Sequence, residues 1–466
     1  MALEFADFPQ DILSELSRWL DAVDLLSFLA TCRSARELRL QRSFWLYALE
    51  RIRHVEAQPL PLSNADCVNT LSLGQLQDAV QRASRVMRAF RHGSSPPRPV
   101  RVHTMAIGRE GRIFCIPGTH LAVSHGGGSV ACWDILTSQR VAQLGIPGLR
   151  VRNESPCMEV RGKALVAACI GRTAERLVVI CIDYRDRAHV ELSHVVSPEV
   201  NRDDTLLSGF FINSQVMGHC TQSQIISWTM EAGAEVQRMT QHIHRPAGVT
   251  QPLCLAFGGS VYAFHEGSVT LDATIQRLSL PSTPPSDATH LPSTVNTLPF
   301  SYSFAASQAE LYSHMMGRTV SLHSHAPHLL VPEYGVFAVT CRTLSIDTLV
   351  VPIVHFWAGL IEPDADGARA LSFGRACFYE HGDPIEAVAV GSSGTYVLLL
   401  AQDAEDGGGY LGVLHFSAVP YPHTTFRKLV AGGLSVFDCR QLAIDDSLGL
   451  VLAVDSGGKV TVVWYA

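Results

Sequence analysis

His125-Gly-Gly-Gly-Ser-Val-Ala-Cys-Trp-Asp-Ile-Leu-Thr-Ser138 is the stretch whose reading decides the fold. Three successive glycines allow a tight turn at positive φ, where a side chain would be strained. Leu121–Ser124 before the turn and Val130–Ile135 after it read as strands, so the segment is a β-hairpin. The rhythm continues along the chain. Paired strands are expected at Ala164–Ile170 and Leu177–Ile182, Gln215–Cys220 and Ile225–Met230, Leu253–Phe257 and Val261–His265, Tyr396–Ala401 and Leu411–Phe416, and Leu450–Val454 and Val460–Tyr465. Further strands are expected at Gly335–Val339, Thr348–Val354, Ala387–Val390 and Gln441–Ile444. No useful helical period interrupts them after residue 100, which excludes a fold of alternating strands and helices.

Asp445-Asp-Ser-Leu-Gly-Leu-Val-Leu-Ala-Val-Asp-Ser-Gly-Gly-Lys-Val-Thr-Val-Val-Trp464 is a looser copy of the first segment, and Ser223–Trp228 and Gly407–Phe416 are weaker ones. Gly128-Ser-Val130-Ala-Cys-Trp133-Asp134 resembles the strand pair of a WD repeat. On that resemblance, residues 100–466 are expected to form a WD-like β-propeller of about seven blades, with a strand near Val100–Met105 closing against the last blade. A large β-sandwich of fewer, longer strands is the other architecture considered. Pro281–Pro299, rich in proline, serine and threonine, reads as a long exposed loop, and Asp403–Gly409 as a hairpin tip.

Residues 1–92 have a different texture. After Pro9, the positions Ile12, Leu13, Leu16, Trp19 and Leu20 follow one helical face. Asp21 can cap a second helix carrying Leu25, Leu26, Leu29 and Cys32, and a third short helix holds Ala35, Leu38 and Leu40. A longer helix is expected over Leu73–Phe90, with Leu76, Val80, Ala83, Met87 and Phe90 buried and Arg82, Arg85, Arg88 and Arg91 as a solvated face beside them. The glycine, serines and prolines of 91–99 form the join to the β region.

Phe8-Pro9, Asp11-Ile12-Leu13, Leu16, Trp19-Leu20, Asp24-Leu25-Leu26, Leu29, Thr31-Cys32-Arg33, Ala35 and Trp45 resemble the F-box pattern, in order and at its intervals. Phe8 stands where leucine is usual, and Asp11 where glutamate is frequent. The Gln75–Arg85 segment is similar to the connecting helix of many fungal F-box proteins. The resemblance implies docking on a Skp-type adaptor, and through it on a cullin, with Pro9, Ile12, Leu13, Leu16, Leu20, Leu25, Leu26, Leu29 and Arg33 at or under the adaptor surface. The expected fold class is α + β multidomain: an all-α F-box three-helix unit over 5–50, a helical linker over 51–99, and the all-β propeller over 100–466.

Composition narrows the functions. The 466 residues are 47% hydrophobic and 17% charged with net charge −7, which excludes disorder and disfavours nucleic-acid or membrane-surface partners. Met1–Gln10 lacks the basic residues of a secretory leader, and the apolar run Leu349–Ile361 is too short to span a bilayer. Twelve cysteines without a Cys-x-x-Cys pair read as thiols in a reducing compartment, so a cytoplasmic or nuclear location is expected. Three lysines, Lys163, Lys428 and Lys459, stand beside 33 arginines; replacement of lysine throughout the chain is the favoured reading.

Catalytic and metal chemistry finds little support. His125-Gly-Gly-Gly128 copies an esterase oxyanion loop, but no Gly-x-Ser-x-Gly elbow accompanies it; Ala370-Leu-Ser372-Phe-Gly374 comes nearest. His242-x-His244 and His323-x-His325, with His314 and His328, have spacings that could meet zinc, but lack a nearby carboxylate or cysteine as further ligand. No phosphate-binding Gly-x-x-x-x-Gly-Lys loop occurs. The expectation is therefore a non-catalytic subunit without cofactor or metal. On the F-box resemblance, it would be a substrate receptor of a Skp–cullin–F-box ubiquitin ligase holding an undetermined protein target. The alternative is a non-degradative interaction scaffold that keeps the adaptor contact.

Overall fold

Among the described residues, seven small antiparallel sheets follow one another along the chain after an N-terminal helical unit. The computed structural model describes residues 9–154 except 64–65, 93–94 and 109–110; 157–170; 176–196 except 187–188; the strands alone between 209 and 372; and 385–466 except 404–407, 418–422 and 435–437.

The helical unit comprises α1 (Gln10–Ser17), α2 (Ala22–Phe28), α3 (Arg33–Glu37), α4 (Arg42–His54) and α5 (Leu73–Phe90), with a 3-10 turn at Leu38–Leu40 extending α3. The expected starts hold. The Asp21 carboxylate accepts the Asp24 N–H at 2.7 Å, and the Cys32 sulfur accepts that of Ala35. Ser72 and Gln75 form a reciprocal capping box at the start of α5. One difference is that α1 ends at Ser17, so Trp19 and Leu20 lie in the turn beyond it. Leu13, Leu25, Leu29, Trp45, Leu49, Leu76 and Val80 make one core. α5 is more than a spacer: Ala79, Ala83 and Met87 belong to that core, while Val86, Ala89 and Phe90 enter a second core with the last two sheets.

The sheets occupy residues 112–145, 149–196, 209–242, 253–301, 318–372, 385–429, and 439–464 joined by 101–106. In the decisive hairpin, Gly126 pairs with Ser129 across Gly127 and Gly128, whose φ values of 59° and 83° match a two-residue turn. Apolar layers lie between successive sheets. Val123, Val130 and Cys132 of the first meet Ala164, Val178 and Ile180 of the second, and Ala167 and Val179 meet Met217 and Trp228 of the third.

The seventh sheet joins the two ends of the β region. Strand Arg101–Ala106 pairs antiparallel with Lys459–Trp464, Arg101 opposite Trp464. The seventh sheet also grips the first: the Ile113 N–H donates to Gln441 Oε1 at 3.0 Å, and Gln441 Nε2 donates to the Ile113 carbonyl at 2.8 Å. This order of separate sheets, six of four strands and the second of five, is of β-propeller type and sets aside the β-sandwich. One expectation needs correction. Strand Asn296–Ser301 occupies the end of the expected Pro281–Pro299 loop, and the rest of that loop lies outside the described residues. Of the strand expected at Thr348–Val354, residues 348–352 lie outside the described residues, and Ile353 and Val354 open a strand that continues to Asp364.

Candidate functional site

The first turn of α1 is set by Pro9, whose lack of an N–H is harmless at a helix start. From there the helix divides by period. Leu13 and Ser17 face the core, Leu13 with no exposure. Ile12 and Leu16 leave 44% and 39% of their surface in solvent, and Trp19 just beyond leaves 78%. Tyr47 of α4 borders this ridge, with the Arg18 guanidinium 5.5 Å above its ring.

The residues expected at the adaptor surface therefore split into layers. Pro9, Ile12 and Leu16 are exposed, and Leu20 and Leu26 are half-buried against the core. Leu13, Leu25 and Leu29 are sealed inside the unit, beneath the surface rather than on it. Arg33 is fully solvated and pairs with Glu37 at 3.5 Å, one turn on. Trp19 and Tyr47 were not singled out from sequence as contact residues, although Trp19 was visible in the pattern as an aromatic at the end of an amphipathic helix.

A polar junction fixes the helical unit to the sixth and seventh sheets. The buried Tyr396 hydroxyl donates to Gln58 Oε1 and accepts from Arg91 Nε at 2.5 Å. Arg91 also donates to the carbonyls of Glu56 and Ala57 and to Gln58 Oε1. Arg91 thus leaves the solvated arginine face expected for α5, whereas Arg82, Arg85 and Arg88 remain on it. Burial pushes the Tyr396 phenol up to about 12, so it stays a donor. Arg427 caps the end of α5 by donating to the carbonyls of Arg88, Ala89, His92 and Ser95.

Two adjacent carboxylates, Asp445 and Asp446, are fully buried at the same end. Paired acids can run proton chemistry, but each of these is enclosed by structural donors. Asp445 accepts from the N–H groups of Ser447, Leu448 and Gly118 and from the Ser447 hydroxyl. Asp446 accepts from the Ser393 N–H and from the hydroxyls of Ser392 and Ser393. They tie the seventh sheet to the first and sixth. Burial pushes Asp445 up to about 7 against the pull of those hydrogen bonds, and raises Asp446 as well. Burial also lifts Glu159 to about 7, although the Tyr184 O–H donates to it.

These shifts set a pH dependence. Unfolded carboxyls titrate near about 4, so between about pH 4 and 7 the folded chain holds protons that the unfolded chain has released. The contribution is full below about pH 4 and lost as pH rises to about 7. The thermal midpoint is expected to be higher at pH 5.5 than at pH 7.5, and Asp445→Asn should flatten the difference. A higher midpoint at pH 7.5 would contradict the assignment.

His125 is buried beside Phe114 at the glycine hairpin. His323 stands at a register shift of its strand, while His244, His314 and His328 lie outside the described residues. Among the described residues no three His, Cys, Asp or Glu side chains converge, and no helix is long and apolar enough to cross a membrane. The thiols of Cys115 and Cys132 are buried and pushed up, Cys132 to about 12.

No protein-family model matches the chain, and no curated protein matches it. Among solved structures it is similar to the β-propeller domain of Cps50 (Swd1) of Myceliophteria thermophila, 11% identical over 79% of this chain and 99% of that one, with a TM-score of 0.43. It is also similar to hydrazine synthase of Kuenenia stuttgartiensis, 12% identical over 81% and 98%, TM-score 0.42. The WD40 domain of SCAP from fission yeast is 9% identical over 77% and 85%, TM-score 0.34. The β-propeller character of residues 101–464 stands on their own strand pairing.

Proposed function

We propose that this chain is the substrate-recognition subunit of a Skp–cullin–F-box ubiquitin ligase. The helical unit docks on a Skp-type adaptor, and the seven sheets, closed as one propeller, hold a protein target. The observation that carries the reading is the apolar ridge of Ile12, Leu16 and Trp19, left in solvent by a unit whose own core is already filled. Exposed side chains of this kind, clustered at one end of a small domain, mark a docking surface. The F-box pattern supplies the occupant. The chain itself makes and breaks no bond; it raises the local concentration of target lysines at the ligase.

The junction of Arg91, Gln58 and Tyr396 supports this role, because a receptor must hold target and adaptor at a fixed separation. Affinity purification of the tagged full chain tests the proposal. Recovery of adaptor together with cullin is expected. Adaptor without cullin would favour the non-degradative scaffold, and recovery of neither would overturn the F-box reading.

A further inference from the structure

The exposed ridge on α1 leaves a second feature of the helical unit unused. A cleft of about 540 Å³ opens between α2, α3 with its 3-10 turn, and α5. Arg36 and Arg39 line one wall and Arg85 and Arg88 another, with Leu29 and Ser84 also in the lining and no carboxylate there. All four arginines are exposed, and none of the four guanidinium groups has a hydrogen bond or ion pair among the described residues. Each pair is spaced three residues apart, which puts its members on one helical face about 5–6 Å apart at Cβ. Four like charges in one concavity repel each other, and the chain as a whole carries −7, so the positive field is local to this cleft.

We propose that the cleft binds a small molecule carrying two adjacent phosphoryl groups, a diphosphate in chemical class. The planar guanidinium fork matches phosphate oxygens in pairs, which a point charge does not. Two rows of two arginines match the roughly three to four negative charges of two linked phosphoryl groups, whereas one phosphomonoester of about two charges would leave half of them unanswered. The volume falls in the range of about 300–1,000 Å³ usual for small-ligand sites. The inference uses none of the exposed ridge on α1, although the cleft shares Leu26 and Leu29 with the residues of the adaptor reading.

The test is calorimetric titration of the full chain at low ionic strength with pyrophosphate, inorganic phosphate, citrate and a phosphoserine peptide. Pyrophosphate is expected to bind saturably and about tenfold or more tighter than the other three. The double variants Arg36→Gln/Arg85→Gln and Arg39→Gln/Arg88→Gln should each lose about tenfold in affinity with unchanged thermal midpoint, and Arg36→Lys/Arg85→Lys should keep part of it. The proposal is overturned by absence of saturable pyrophosphate binding, by citrate binding equally well, by tighter binding of the peptide, or by glutamine variants that bind like the parent.

Discussion

Leu13→Asp is expected to melt the helical unit, whereas Leu16→Asp, three residues along the same helix, should leave it folded and weaken adaptor capture roughly 30-fold. Leu13 has no solvent exposure and shares its core with Leu25, Leu38 and Trp45. Truncating such a leucine costs about 2–5 kcal/mol, and a carboxylate in its place adds the penalty of an unpaired buried charge. About 4 kcal/mol or more is a large share of the roughly 5–15 kcal/mol that holds a domain. Leu16 stands on the ridge with 39% of its surface in solvent, so its replacement costs about 1–2 kcal/mol of stability, well below the cost at Leu13. If the ridge is the docking surface, removing an apolar anchor there costs about 2 kcal/mol of binding, or roughly 30-fold. Thermal melts and capture of purified adaptor, measured on both variants, separate the two effects. A Leu16→Asp chain that captures adaptor as well as the parent would refute the proposed surface.

That contrast also shows what could be read from the sequence. The period of α1 was legible because apolar side chains recur at helical spacing, but both Leu13 and Leu16 fit it, and period does not say which neighbour covers which leucine. The sheets show the same limit. Leu121–Gly126 and Leu450–Asp455 are buried almost throughout and read as strands from their apolar runs. Gln139–Gly145 and Glu191–Val196, the outer strands of the first two sheets, were missed. They are largely exposed and carry polar residues on both faces, so neither alternation nor an apolar run marks them. The number of strands in each sheet was hidden for that reason, although the hairpin rhythm was enough to reach the architecture. The junction was hidden for another. Gln58 and Tyr396 lie far apart in the chain and look ordinary locally; their pairing emerges when α5 settles on the last two sheets. Arg91 is the instructive error: its spacing continues that of Arg82, Arg85 and Arg88, but it is the last of them, where the helix meets the sheets and four acceptors converge.

Gly118→Ala is expected to be the most damaging single-methyl change among the described glycines near this contact. Gly118 lies in the turn between strands Arg112–Cys115 and Leu121–Gly126, at φ +66°. A β-carbon there would sit 2.2 Å from the Leu62 carbonyl oxygen and 2.5 Å from its carbon. Both are backbone atoms, so no rotamer change relieves the overlap; the segment leading to α5 must move off the first sheet. That movement pulls the Gly118 N–H from Asp445 Oδ2, now 2.9 Å away, and strips a buried carboxylate of one of its donors. The left-handed backbone adds about 1 kcal/mol for alanine, and the lost hydrogen bond about 1–3 kcal/mol. With the overlap, a total of about 3–5 kcal/mol is expected, read as a lowered denaturant midpoint. Gly127→Ala is the control. It shares the positive φ, at 59°, but nothing lies within 4 Å of the added carbon, so about 1 kcal/mol of strain is all it should cost. Equal losses in the two variants would mean that backbone strain alone governs these turns and that the Leu62 contact does not help hold the helical unit on the sheets.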